Sequence, residues 1–257
     1  MIVVHGVDAL EPSVGRLFVV VGVFDGLHRG HAYLLRRLVR GATARGAAAT
    51  VITFDHHPDE VLIGAAPPLL LDPVERLDRL AAAGVGVTIV QHFDEALRHT
   101  PFDAFIARIR ARTELAGFLM TPDAAFGHER KGTPTTVAAL GCDLGFDVEV
   151  APPFTLGGRP VRSTEIRAAI AAGDLATART LIGRRVAVVG AAAPSSGRTV
   201  GSVVSFDLPV ALPPDGDYPV GVAVGGRRAL RANASVAAGG LTLDVAAEGR
   251  VRVTFRS

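Results

Sequence analysis

The chain has 257 residues, enough for one large or two modest domains with real cores, and 49% of them are hydrophobic. Its formal net charge is only +2, its basic residues are scattered arginines apart from Lys131, and no basic stripe is interleaved with aromatics, so the electrostatic footprint of a nucleic-acid binder is missing. The single cysteine, Cys142, excludes an internal disulfide and a cysteine-based zinc site. No apolar run reaches membrane-spanning length, and the first, Leu17–Val21, lacks the basic leader of a secretory signal, so a cytoplasmic protein is expected.

In chain order, Leu17–Gly22 is a continuous apolar run bounded by glycine and reads as a buried parallel strand. His31–Arg45 carries Leu34, Leu35, Leu38 and Val39 on one face and arginines elsewhere, an amphipathic helix. Strands follow at Ala48–Phe54, Val85–Val90, Ala116–Met120 and Phe146–Ala151, alternating with helices at Pro73–Ala83, Pro101–Arg112 and Thr133–Leu144. Two short helices, Ser163–Ala172 and Leu175–Ile182, close this part. The pattern predicts an α/β fold with an open, doubly wound parallel sheet.

Beyond residue 184 the helical pattern stops. Val-rich segments at Val186–Gly190, Val200–Phe206, Tyr218–Val224, Leu241–Val245 and Val251–Phe255 alternate with Gly/Pro turns. They predict a small C-terminal antiparallel β-barrel of five or six strands, and two domains, 1–184 and 185–257.

Chemistry concentrates after the first of these strands, in Gly22-Val23-Phe24-Asp25-Gly26-Leu27-His28-Arg29-Gly30-His31. Gly26 and Gly30 let backbone approach a ligand closely, and the loop feeds a helix N-terminus, which favours phosphate. His28 and His31 are spaced to address one cluster of phosphate oxygens, a pattern suited to phosphoryl-group transfer by positioning and charge neutralisation. A metal site at the histidines would need further His or carboxylate ligands that the sequence leaves unidentified. Downstream, Ser163 or Thr164 can cap the next helix, and Arg167, one turn on, can grip an anion with two prongs. His92 and His99 read as surface residues.

These segments resemble the adenylyltransferase module of bacterial FAD synthetases, within the nucleotidyltransferases that carry His-x-Gly-His. The resemblance runs from about residue 15 to 185 and takes in "TFDHHP" (Thr53–Pro58), "PPLLLDPVERLDRLAAAGV", "FDEALRHTPFDAFI" and "VRSTEIRAAIAAGDLATARTLIGR" (Val161–Arg184). It implies a Rossmann-like nucleotidyltransferase that moves AMP from ATP to FMN with Mg²⁺, giving FAD and pyrophosphate. It implies catalytic roles for His28, His31 and Arg167, nucleotide contacts from Gly22, Phe24, Asp25, Gly26, Gly30, Ser163 and Thr164, and flavin contacts from His57, Pro58, Asp123, Phe126 and Arg130. Small molecules are the implied partners, with neither nucleic acid nor membrane.

Four positions depart from the family pattern. Thr121 replaces a glycine and Ala124 an aromatic in the flavin loop, His56 replaces a proline, and Arg162 replaces a serine. A different phosphorylated acceptor, or a non-catalytic relic, is therefore the competing expectation. The barrel resembles the opening of the family's riboflavin kinase module through Gly197, Arg198 and Gly201. The kinase's Pro-Thr-Ala-Asn is Val203-Val204-Ser205-Phe206 here, and Thr242 or Asp244 falls near its catalytic glutamate. The expectation is a shortened, kinase-inactive domain.

Overall fold

The computed structural model describes residues 1–195 and 201–256. Gly197, Arg198, Val200 and Ser257 lie outside the described residues. The chain forms two compact units. One comprises Met1–Phe24, Gly30–Pro67 and Leu77–Thr155; the other comprises Asp25–Arg29, Pro68–Arg76 and Leu156–Ser257. Packing groups residues 156–184 with the barrel, whereas composition changes only after 184.

The first unit is built on a six-stranded sheet. Its strands are β1 (Ile2–His5), β2 (Leu17–Val21), β3 (Ala48–Phe54), β4 (Val87–Gln91), β5 (Leu115–Met120) and β6 (Asp147–Val150). They lie in the order β1-β4-β3-β2-β5-β6 and every neighbouring pair is parallel. The chain steps one way from β2 to β4 and the other way from β4 to β6. Right-handed crossovers therefore put the connecting helices on opposite faces. The burial of β2 records this: Leu17, Phe18, Val19 and Val20 are all inaccessible, because both faces are covered.

On one face, α1 (Arg29–Ala44) brings Gly41 so close to Phe18 that an added Cβ would stand 2.6 Å from the ring. On the other, Leu17, Val19, Ile52, Ile89 and Phe118 share a core with α5 (Phe102–Arg110) and α6 (Pro134–Leu144). The remaining helices of this part are α2 (Pro58–Ile63), α3 (Pro73–Ala82) and α4 (Glu95–Arg98). Strand β1 and helices α2 and α4 were not expected. β1 is an edge strand with one buried residue, and the two helices are only six and four residues long, too short for a periodic signal.

In the second unit, a short hairpin of β7 (Thr155–Leu156) and β8 (Arg159–Pro160) leads into α7 (Ser163–Ala171) and α8 (Leu175–Ile182). Six antiparallel strands then close a barrel: β9 (Ala187–Pro194), β10 (Ser202–Ser205), β11 (Gly216–Val224), β12 (Leu230–Ala237), β13 (Gly240–Leu243) and β14 (Gly249–Phe255), in the order β10-β13-β12-β11-β14-β9. Unlike β2, these strands alternate. Val251, Val253 and Phe255 are buried while Arg252 and Thr254 are partly open. β12 escaped the sequence reading because its inward positions are Ala232, Ala234 and Val236, too small to stand out between Asn233 and Ser235. Among the described residues no helix is long and apolar enough to cross a membrane.

Candidate active site

The loop that follows β2 departs from ordinary backbone geometry. Phe24 and Leu27 adopt φ of 54° and 36°, a left-handed region that costs non-glycine residues energy, and Gly26 lies between them at φ 80°. A Cβ on Gly26 would also meet Leu70 at 3.0 Å. Such a path needs external support, and in the second unit five residues supply it.

The carboxylate of Asp25, only 3% exposed, accepts from the amides of Leu70 and Leu71 at 3.0–3.1 Å and from Arg167 Nη2 at 2.5 Å. Arg167 Nε donates to the carbonyl of Pro68 (2.7 Å), and Ser163 Oγ donates to the carbonyl of Asp25 (3.1 Å). Arg184 completes the clamp, donating to the carbonyls of Gly26 (2.6 Å) and Leu27 (3.1 Å). A buried, charge-assisted pair of this kind is strong when its remaining lone pairs are satisfied, as they are at Asp25. Residues some 140 positions apart in the chain are thus joined at one loop.

His28 closes that loop and is 5% exposed. Burial, with a smaller contribution from the Arg184 guanidinium, pushes its pKa down to about 4. At neutral pH it is an uncharged imidazole with one N–H to give, not a cation. His31 sits in the first turn of α1, its ring 5.0 Å from that of Phe24. Gly30 lies in the same turn, and Gly22, just past β2, donates to the carbonyl of Ile52 (3.0 Å).

The expected cap of α7 is corrected. Arg162 occupies the N-cap and its side chain makes no capping bond. Ser163 is the first helical residue, and its hydroxyl is turned to Asp25 instead; Thr164 is exposed in the same turn. The pull is tertiary: a buried loop carbonyl needs a donor more than the solvated end of a helix does. Sequence reasoning missed Arg184, Leu70 and Leu71. The only trace of Arg184 is its place just after Gly183, which ends α8 in the left-handed conformation.

In the first unit the strand order reverses direction between β2 and β5, where ligands of open α/β sheets bind. A crevice there is lined by Val21, Leu34, Met120, Thr121, Ala124 and Phe126. At about 50 Å³ it is too small for an aromatic ring system as it stands. Phe126 stacks on Phe118 (5.6 Å) and helps wall it. Gly127, at φ 74°, packs so tightly on the backbone of Phe102 that a Cβ would stand 2.6 Å away, which fixes the loop. Asp123 and Arg130 are exposed on that loop; Arg130 donates to the Asp123 carbonyl (3.3 Å), and Thr121 donates to the Asp123 carboxylate (2.8 Å). His57 caps α2, its Nδ1 accepting from the Asp59 amide (3.2 Å), with Pro58 at the first helical position.

The second unit also holds a cavity of about 850 Å³, lined by Pro68, Arg167, Ala171, Val204, Phe206 and Leu212 among others. Arg167 therefore bears on the Asp25 loop and on this cavity.

A parallel sheet of this order, with a strained glycine loop leading from its central strand into a helix, defines an α/β protein of the open, doubly wound class. The chain belongs to the FAD synthetase family, whose model matches residues 11–165. Curated relatives include bifunctional riboflavin kinase/FMN adenylyltransferases of Pseudomonas fluorescens (31% identical, covering 74% of this chain and 61% of that protein) and of Escherichia coli K12 (32% identical, 70% and 59%). The chain thus spans about three fifths of their length. Among solved structures, one described as a macrolide-efflux protein from Streptococcus pneumoniae shares the fold, with TM-score 0.82, 23% identity, and coverage of 99% of this chain and 90% of that one.

Proposed function

We propose that this chain transfers the adenylyl group of ATP to FMN. A phosphate oxygen of FMN attacks the α-phosphorus, the bond to the β-phosphate oxygen breaks, and FAD and pyrophosphate leave. The observation that carries this reading is the Asp25–Arg167 pair, which ties the second sequence motif to the loop of the first. The family match and the names of its relatives supply the substrates.

In this reading His28 gives a neutral N–H, and His31 a second, to the triphosphate as charge builds toward pyrophosphate. We assign the backbone of Gly22, Phe24, Gly26 and Gly30 to nucleotide contacts, and Ser163 and Thr164 to the outer phosphates. Asp25 and Arg167 hold the loop in shape. Mg²⁺ arrives on ATP as part of the substrate; Asp25 is a poor ligand for it, since its oxygens already accept from Arg167 and two amides. His57, Pro58, Asp123, Phe126 and Arg130 form the acceptor side, beside the crevice between β2 and β5. The cytoplasm, where ATP and FMN are made and used, is the compartment this implies.

We further propose that residues 1–184 are the transferase module and that 185–257 is a kinase-like barrel that phosphorylates nothing. Val203-Val204-Ser205 lie within β10, and the Ser205 hydroxyl is used on the Ala191 carbonyl (3.2 Å). Asp244 is held by the amide and side chain of Asn233, both at 2.8 Å, so it is poorly placed to act as a base.

The test is the full chain with MgATP and a panel of acceptors, following pyrophosphate and FAD. Release with FMN, and no FMN made from riboflavin, is expected. Release only with another phosphorylated acceptor, or none at all, overturns the assignment of FMN.

A further inference from the structure

Two strand ends outside the loop just described bring three metal-ligating residues together. Asp55 follows β3 directly, His56 follows it, and His92 follows β4, the adjacent parallel strand. One ligand atom from each lies within 4.8 Å of the others. His92 Nδ1 is 2.6 Å from Asp55 Oδ2, and His56 Nδ1 is 3.2 Å from Asp55 Oδ1. The two rings stand 5.9 Å apart and nearly perpendicular. One carboxylate therefore sits between two imidazoles that approach it from different directions.

The surroundings hold these groups in place. Asp55 Oδ1 accepts from the amides of His56 (2.8 Å) and Phe93 (3.3 Å), which orients the carboxylate. Gln91 is buried at the end of β4; its Oε1 accepts from the Val7 amide and its Nε2 donates to the His92 carbonyl (3.2 Å), which anchors the backbone that carries His92. The carboxyl ends of parallel strands are also where this architecture presents its ligand-binding groups.

We propose that Asp55, His56 and His92 form a site for one divalent transition-metal ion of the zinc class. Two of three donors are imidazole nitrogens, which favour Zn²⁺, Co²⁺ or Ni²⁺ over Mg²⁺ or Ca²⁺. With three protein ligands, a tetrahedral ion keeps one position for water or an anionic oxygen of a small ligand.

The experiment uses the untagged full chain, stripped with chelator and titrated with Zn²⁺ by calorimetry and with Co²⁺ by visible absorption. One equivalent is expected to bind, with the absorption bands of tetrahedral Co²⁺, undisturbed by equimolar Mg²⁺. His92→Ala and, separately, His56→Gln should each weaken binding by about 100-fold or more, beyond the effect of losing an outer partner. His56 is 47% exposed, so its replacement leaves packing intact if His92→Ala fails to fold. His99→Ala, at the separate His99–His128 ring contact, should bind as the parent does. Absence of a stoichiometric site, parent-like binding by the His56 and His92 variants, or displacement by equimolar Mg²⁺ would overturn the assignment.

Discussion

The parallel sheet and the barrel are both made of valine-rich strands, yet they differ in where their polar groups go. In the sheet, strands such as β2 are covered on both faces, and polar side chains with unusual settings gather in the loops at the carboxyl ends. In the barrel, the polar groups are consumed by the structure: Ser202 Oγ donates to the carbonyls of Val245 (3.1 Å) and Ala247 (3.0 Å), Ser205 bonds β9, and Asp244 holds Asn233. A strand buried on both faces exports its chemistry to its ends. An alternating strand can spend its outer face on solvation and its few inner hydroxyls on closing the barrel. The sheet-end loops are therefore the candidate for catalysis, and under the function proposed above the barrel is a scaffold.

The sharpest way to break this contrast is at Asp25. Asp25→Ala leaves the Arg167 charge unpaired in a partly buried place and frees the loop amides. Denaturant unfolding should show a loss of about 3–5 kcal/mol, with adenylyl transfer abolished. If neither changes, the loop does not organise the site.

His28→Ala and His31→Ala should each lower kcat for FAD formation by about 10²–10³, the scale for one transition-state donor, measured with saturating ATP and FMN. Parent-like turnover in both would move the chemistry elsewhere.

The pH dependence of stability sharpens the same point. Unfolded, His28 takes a proton near 6.5; folded, only near 4. Between those values the unfolded chain binds more protons, so stability is fully present above pH 6.5 and falls as pH drops toward 4, by about 3 kcal/mol in all. His28→Asn should flatten that part of the curve in thermal melts taken across pH 4–7.

The smallest effect is expected in the barrel. Asp244→Asn removes a charge from an exposed hydrogen-bonded pair, and should change neither FAD formation nor the Tm by more than a few degrees. A large loss of transfer activity in this variant would give the barrel a part in the reaction.

Much of the architecture was legible. Continuous apolar runs marked the buried strands, and helical periodicity marked α1, α3, α5, α6, α7 and α8, with ends shifted by one or two residues. What escaped were elements whose signal is weak in one dimension: the edge strand β1, the two-residue strands β7 and β8, the alanine-filled β12, and the short helices α2 and α4. At the candidate site, the glycine loop and its histidines were visible because their spacing is local. Arg184, Leu70 and Leu71 were not, because nothing in their own neighbourhoods says that they meet Asp25.

The sequence by itself determined that a parallel α/β sheet precedes an antiparallel barrel, and that two histidines follow a glycine-rich stretch at the end of one central strand. Hydrophobic period and glycine placement are short-range properties written along the chain. Only the tertiary structure decided that Asp25 is spoken for by Arg167, that Ser163 serves a loop carbonyl instead of its own helix, that His28 is held neutral, and that Asp55, His56 and His92 face one another. Each of those is a matter of which distant groups share a buried or crowded space, where an unpaired polar atom is expensive and the nearest partner wins.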